Sequence, residues 1–128
     1  MLLTVETTKT PAQLREDLSK ACAAHQFGVL GIHDLGAKLK EKGVEFSGEA
    51  LVFEICNPHQ AKKVLDAHPE LSTALPCRIS AYRGTDGKTR LATIRPTRLI
   101  GLFDTPTLRA VGQEVEEALE KIMREAVQ

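Results

Sequence analysis

The chain has 128 residues, of which 42% are hydrophobic, and its 17 basic residues balance its 17 acidic ones; these values suit one globular domain over residues 1–128. A neutral chain with no tryptophan and one tyrosine lacks the field and the aromatic surface typical of nucleic-acid binding, so we expect no nucleic-acid partner. No apolar run is long enough to span a bilayer, and the N-terminus does not resemble a signal peptide, so we expect no membrane association and a cytoplasmic location.

The first two predicted elements are a strand and a capped helix. Residues 2–7 alternate loosely and are rich in threonine, which indicates a strand. Thr10 then caps a helix, Pro11 suits its first position, and Gln13 can complete a capping box. The residues of one face of this helix are Leu14, Leu18, Ala21, Cys22 and His25.

The middle of the chain predicts two further strands around a short helix. Residues 29–33 form the second strand, and Asp34 can cap a helix over residues 35–42 that Gly43 ends. The third strand covers residues 44–56 and is strongest from Ala50. Alternation sends one set of its side chains to the core and the other set to the opposite face. The core set is Leu51, Phe53 and Ile55, and the opposite set is Val52, Glu54 and Cys56.

A helix and a hairpin follow the third strand. Asn57 and Pro58 begin the helix, and residues 70–76 predict a 3₁₀ turn and a loop. The apolar stripe of the helix that begins at Pro58 is Ala61, Val64, Leu65 and His68. Residues 77–83 and 88–94 form the hairpin around Asp86-Gly87, a strong turn signal. Cys77, at its start, alternates onto the core face with Ile79.

The C-terminal part predicts a helical turn over residues 97–102 and a long helix over residues 106–126, which Thr105 and Pro106 begin. The apolar seam of the long helix is Leu108, Val111, Val115, Leu119, Ile122 and Met123. These elements together predict an α+β fold in two layers, with about five mostly antiparallel strands and helices on one face.

Cys56 is the strongest candidate for chemistry. It stands one residue before a predicted helix cap, where unpaired amides and the helix dipole stabilise an anion and lower a thiol pKa. The alternative is that Cys56 only fills a tight corner. Cys77 is its candidate partner, although regular pleats would place the two sulfurs on opposite faces and prevent a disulfide.

Three cysteines fit neither a disulfide framework nor zinc spacing, and we expect no metal and no cofactor. His33 and His59 are of a residue type that binds metals, but their spacing from Cys56 and Cys77 matches no known metal-binding motif.

A polar patch is predicted on the sheet face away from the helices. Glu54, Arg78, Ser80 and Tyr82 share that face, and Arg78 can pair with Glu54 on a neighbouring strand. The patch is either a cleft for an anion or small molecule, a solvated face, or a dimer interface.

Several stretches of the chain are similar to a known family. They are Glu54-Ile55-Cys56-Asn57-Pro58 with Ala61, Leu75-Pro76-Cys77-Arg78-Ile79 with Tyr82, Phe27-Gly28-Val29-Leu30 with Ile32, and Leu39-Lys40-Glu41-Lys42-Gly43. With the glutamate-rich closing helix they resemble domain-of-unknown-function family 302 over essentially the whole chain. The resemblance implies a β-α-β(4)-α fold, TATA-binding-protein-like or helix-grip-like in outline, and allows a homodimer. It implies no activity, and where the family tends to have an acid before proline this chain has Arg95-Pro96.

Three functional hypotheses follow. The first is a small binding or accessory module, non-enzymatic, whose ligand or protein partner contacts five residues at the corner and the sheet face. These residues are Glu54, Cys56, Asn57, Arg78 and Tyr82. The second is a thiol-active protein that handles sulfur or redox equivalents through Cys56 with Cys77. The third is a structural subunit that forms a homodimer.

Overall fold

A computed structural model describes residues 1–101, 103 and 105–128. The strands are Leu2–Thr7 (β1), Gly28–Asp34 (β2), Glu49–Cys56 (β3), Cys77–Arg83 (β4) and Thr89–Ile94 (β5). The α-helices are Pro11–Ala24 (α1), Leu35–Glu41 (α2), Pro58–Ala67 (α3), Pro96–Ile100 (α4) and Pro106–Ala126 (α5), and a 3₁₀ helix covers Pro69–Ala74.

The five strands form one sheet in the order β1-β5-β4-β3-β2, and all four neighbouring pairs are antiparallel. Helices α1, α3 and α4 each contact α5, and α1 also contacts three strands of the sheet. The predicted α+β class is therefore confirmed. The expected β-α-β(4)-α order has four consecutive strands, which here are β2 to β5. Helix α2 lies between β2 and β3 in sequence, and α3 lies between β3 and β4.

The core lies between the sheet and the helices α1 and α5. Phe53, Ile55 and Ile79 have no exposed surface, as the alternation of β3 and β4 predicts. All six residues of the predicted α5 seam are buried as well. The buried faces of α1 and α5 thus cover the apolar sheet face together, and this contact sets the two-layer arrangement.

The predicted helix starts are all present. The Thr10 hydroxyl accepts from the Gln13 amide (3.2 Å) and the Gln13 side chain accepts from the Thr10 amide (2.8 Å), which completes the capping box. Asp34, Asn57 and Thr105 cap α2, α3 and α5 through their side chains. These caps depend on local sequence only, because donor and acceptor lie within three residues.

Three details differ from the predictions. β3 begins at Glu49, because the Val44 amide donates to the Leu39 carbonyl (2.9 Å) and, with Gly43 at φ +75°, closes the end of α2. In α3 only Val64 of the predicted stripe is buried, and Leu65 is 38% exposed. The predicted turn over residues 97–102 is α4, whereas residue 102 lies outside the described residues.

Candidate functional site: an apolar cavity beside two cysteines

The corner between β3 and α3 is fully hydrogen-bonded. Asn57 Oδ1 accepts from the backbone amides of His59 (3.0 Å) and Gln60 (3.2 Å). The Asn57 carbonyl accepts from the Ala61 amide (2.9 Å), and Pro58 has no amide hydrogen to offer. The donors of the α3 tip are therefore already in use, and none of them is left for a thiolate at Cys56.

Burial raises the pKa of the Cys56 thiol above its ordinary value. The expectation of a lowered pKa is therefore wrong. That expectation assumed free amides at the start of α3. The Asn57 side chain accepts hydrogen bonds from two of these amides, so they do not stabilise a thiolate at Cys56. Desolvation then decides the direction of the shift, which favours the neutral thiol.

Cys77 lies beside Cys56 at the same end of the sheet. It is paired in register with Ile55, the residue before Cys56, and both cysteines are free thiols. Burial and, to a smaller extent, charge repulsion from the neighbouring Cys56 raise the pKa of Cys77 to about 11. Cys77 faces the core, as predicted, yet both residues border one cavity, since β3 ends at Cys56 and the cavity extends past that end.

This cavity has a volume of about 450 Å³ and lies between the sheet end and the helices. Ile55, Cys77 and Thr93 are among the residues that the sheet contributes; the rest of the wall comes from α3, the 3₁₀ helix, α4, α5 and connecting residues such as Phe27 and Leu75. Representative wall residues are Val64, Leu71, Ile100, Val115 and Leu119. Arg78 is the one charged residue among the described residues that border it, and Arg78 is exposed.

Several polar side-chain atoms of the cavity lining have a partner. The Thr93 hydroxyl donates to the Arg78 carbonyl (2.7 Å), and Gln60 Nε2 donates to Glu114 Oε2 (2.8 Å). Gln60 Oε1 is different, because it is buried and has no hydrogen-bond partner within the described residues. The lining of the cavity is therefore mostly apolar, and it includes Gln60, whose Oε1 is buried without a partner.

The predicted ligand residues fall into two groups. Cys56, Asn57 and Arg78 border the cavity, whereas Glu54 and Tyr82 do not. Glu54 and Arg78 are direct register neighbours, but Glu54 Oε1 lies 2.6 Å from His33 Nε2 instead of bonding Arg78. Tyr82 is paired with Ala50 and Arg90, farther along the open sheet face.

Glu116 on α5 holds α4, which forms part of the cavity wall, against α5. This role was not predicted from the sequence. Glu116 Oε1 accepts from the Thr97 hydroxyl (2.7 Å) and amide (3.3 Å), and its Oε2 lies 3.4 Å from Arg95 Nη1. Burial raises the pKa of Glu116, but the bonds from Thr97 and the charge of Arg95 outweigh burial, so the net pKa is lowered. This contact joins α4 to α5, and it gives Arg95, the departure from the family pattern, an acidic partner.

Gln60 was also missed, because a glutamine three residues after an Asn cap is the ordinary pattern of a capping box. Its side chain instead reaches Glu114, which lies 54 residues later. Nothing in the local sequence signals this pairing.

Another concavity, of about 820 Å³, lies between α1, α2 and the segment 43–48. It is an open groove whose rim carries an ion pair between Arg15 and Asp34, at 3.9 Å. The described part of the chain leaves no unpartnered buried side-chain atom in this groove, so it carries a weaker case for a ligand than the cavity.

In the described ranges no three His, Cys, Asp or Glu side chains are grouped as a metal site requires. His33 is engaged with Glu54, and His59 is exposed. Within those same ranges no helix has the length and apolar composition needed to cross a bilayer. The predicted homodimer, cytoplasmic location and absence of nucleic-acid partners stay predictions.

The fold and the cavity define a class of protein: a two-layer α+β domain with a five-stranded antiparallel sheet and a small apolar chamber under its helices. The chain belongs to the family described as Domain of unknown function DUF302, whose model matches residues 3–126. The family resemblance expected from the sequence is thereby confirmed.

A solved structure shows the same fold. It is the crystal structure of an uncharacterized conserved protein DUF302 from Bacillus stearothermophilus, with a TM-score of 0.92 and 28% sequence identity. The match covers 99% of this chain and 98% of that one. No curated protein matches the chain.

Proposed function

We propose that this protein binds a small, mostly apolar molecule in the cavity beside Cys56 and Cys77. The observation that carries the proposal is a mostly apolar, partly open space of about 450 Å³ between the end of the sheet and the helices. Ligand pockets have volumes of roughly 300–1,000 Å³ and mostly apolar walls, which is the character of this cavity.

The position of the cavity supports the same reading. It lies where β3 and β4 end and where α3, α4 and α5 converge. Asn57 and Arg78 stand on its border, and Arg78 is exposed, so we place the entrance at this end of the sheet. In this proposal the corner around Cys56 belongs to the binding site, whereas Glu54 and Tyr82 on the open sheet face do not.

The two thiols serve here as uncharged, polarisable wall groups. Two free cysteines beside one cavity also favour the second hypothesis, a thiol-active protein. The raised pKa of each thiol argues against that activity, because the thiolate is the nucleophile and little of it is present near pH 7.

The experiment is a titration with N-phenyl-1-naphthylamine, a neutral apolar dye whose fluorescence rises when it leaves water. Ala61 borders the cavity and Ala67 lies exposed on the same helix, so Ala61→Leu and Ala67→Leu form a matched pair. We expect saturable binding to the wild type and to Ala67→Leu, and at least tenfold weaker binding to Ala61→Leu, because the added side chain fills the space.

Filling an apolar space also stabilises the empty protein. A leucine in place of alanine buries about three more carbon groups, each worth about 0.8 kcal/mol. After the cost of ordering the side chain, we expect Ala61→Leu to gain about 1 kcal/mol in urea unfolding. Equal dye binding by both variants, or no saturable binding to the wild type, would contradict the proposal.

A further inference from the structure

We infer that the ligand is a monocarboxylate, an apolar molecule with one carboxylate group, and that Arg78 binds this group at the entrance of the cavity. This inference rests on the proposed function and names the class of molecule that the cavity accepts. The side chains at the cavity border support it, and so does the position of Glu54 on the sheet.

Arg78 is the one charged residue of the described chain that borders the cavity. It is exposed, and it lies at the end of the sheet where the proposed entrance is. The Thr93 hydroxyl donates to its backbone carbonyl (2.7 Å), but no hydrogen bond or ion pair joins the Arg78 side chain to another described residue. The guanidinium donors are therefore available to a ligand, and a carboxylate matches this planar group with two parallel hydrogen bonds.

Glu54 is the acid that the register would pair with Arg78. The two residues are direct neighbours on β3 and β4. Glu54 Oε1 instead lies 2.6 Å from His33 Nε2, and His33 is on β2, the strand on the other side of β3. This contact directs the Glu54 carboxylate toward β2 and away from Arg78, so the guanidinium group has no counter-ion on the sheet.

The acidic groups near the cavity do not border it. No Asp or Glu among the described residues contributes to the lining. Glu114 bonds the Gln60 side chain (2.8 Å) but is not itself part of the lining. Water weakens the charges of Glu114 and Arg78 alike, because both residues are exposed. Direct contact therefore decides, and of these two residues only Arg78 borders the space that a ligand occupies.

One guanidinium group beside a mostly apolar lining favours one negative charge on an apolar molecule. A cationic ligand would meet Arg78 as a like charge and would find no acidic residue in the described lining. A neutral ligand would make no ion pair with Arg78. A monocarboxylate uses both features, because its apolar part fills the cavity and its carboxylate stays at the wet entrance.

The experiment compares three ligands that share a naphthalene skeleton. 2-Naphthoate is an anion at pH 7, 2-naphthamide has nearly the same shape without a charge, and 2-(aminomethyl)naphthalene is a cation. Each ligand is titrated as a competitor of N-phenyl-1-naphthylamine. We expect 2-naphthoate to bind about fivefold more tightly than the amide, the upper end for a solvent-exposed ion pair, and the cation to bind most weakly. In about 1 M salt the preference for the anion should fall below about twofold, because exposed charges are screened.

Two variants assign the preference to Arg78, and a third is the control. Arg78→Gln removes the charge of an exposed residue, so the preference for the anion should fall below about twofold. His33→Ala frees the Glu54 carboxylate to pair with Arg78 on the neighbouring strand and should also lower the preference. Arg98→Gln is the matched control and should keep the wild-type preference. Arg98 is exposed, its side chain has no partner among the described residues, and it does not border the cavity.

The outcomes separate this inference from the proposed function. If the dye binds but 2-naphthoate binds no more tightly than the amide, the inference is overturned and the binding cavity stands. If Arg78→Gln keeps the full preference, or if Arg98→Gln loses it as well, the carboxylate is bound elsewhere and the inference is overturned. If Arg78→Gln does not fold, His33→Ala decides, and an unchanged preference in that variant overturns the inference. If the dye and all three ligands fail to bind the wild type, the proposed function fails as well.

Discussion

The reactivity of the two site thiols gives a direct test of the corner between β3 and α3. The Asn57 side chain accepts hydrogen bonds from the backbone amides at the start of α3, and burial raises the pKa of both Cys56 and Cys77. Alkylation by iodoacetamide requires the thiolate. Both cysteines should therefore react slowly at neutral pH and faster as the pH rises.

The structure gives the size of the effect. A thiol with the ordinary pKa of 9.0 is about 1% ionised at pH 7, and Cys56 should be ionised less than this. Cys77, with a pKa of about 11, should be only about 0.01% ionised at pH 7. From the thiolate fraction alone, Cys77 should thus react about one-hundredth as fast as an ordinary cysteine at pH 7, and the higher nucleophilicity of a more basic thiolate offsets part of this difference.

The assay uses two variants that each keep a single site thiol. Cys22→Ala with Cys77→Ala leaves Cys56, and Cys22→Ala with Cys56→Ala leaves Cys77. The alkylation rate of each is measured by mass spectrometry between about pH 6 and about pH 10, and circular dichroism checks at each pH that the variant is folded. Denatured samples of the same variants give the reference rate. A rate midpoint for Cys56 below its ordinary 9.0 would refute the reasoning and revive thiol chemistry at this corner.

Two further predictions concern stability. Asn57→Ala removes the acceptor for the His59 and Gln60 amides and should cost about 1 kcal/mol in urea unfolding, whereas Asn57→Ser keeps a cap and should cost much less; equal losses would contradict the role of the cap. Glu116→Gln should cost about 1 kcal/mol at pH 7. The lowered pKa of Glu116 means that its contribution is present above the unfolded value of 4.5 and is lost as the pH falls through the folded value. The unfolding midpoints of wild type and Glu116→Gln should therefore converge as the pH falls below 4.5 and through the lowered folded value, and a constant gap would show that the charge is not involved.

Much of the secondary structure could be predicted because its causes are local. The caps at Thr10, Asp34, Asn57 and Thr105 bond to residues two or three positions away. The alternation of β3 and the spacing of the α5 seam need only a water-facing side and a core side. The start of β3 was misplaced because Val44 serves the end of α2, where the hydrogen bond to Leu39 competes with strand pairing.

The candidate site depends both on the local sequence and on the packing of distant elements. The sequence by itself determined that Cys56 precedes a helix cap and that Cys77 begins a strand, since both follow from local order along the chain. Tertiary structure alone decided that the two thiols share a cavity, that burial raises the pKa of each, and that Glu116 ties α4 against α5. The unpaired oxygen of Gln60 exists only because Glu114, brought near by the packing of α3 on α5, holds the other end of the amide. Desolvation and contacts between distant residues arise when elements pack, and no pattern within a short stretch of sequence contains them.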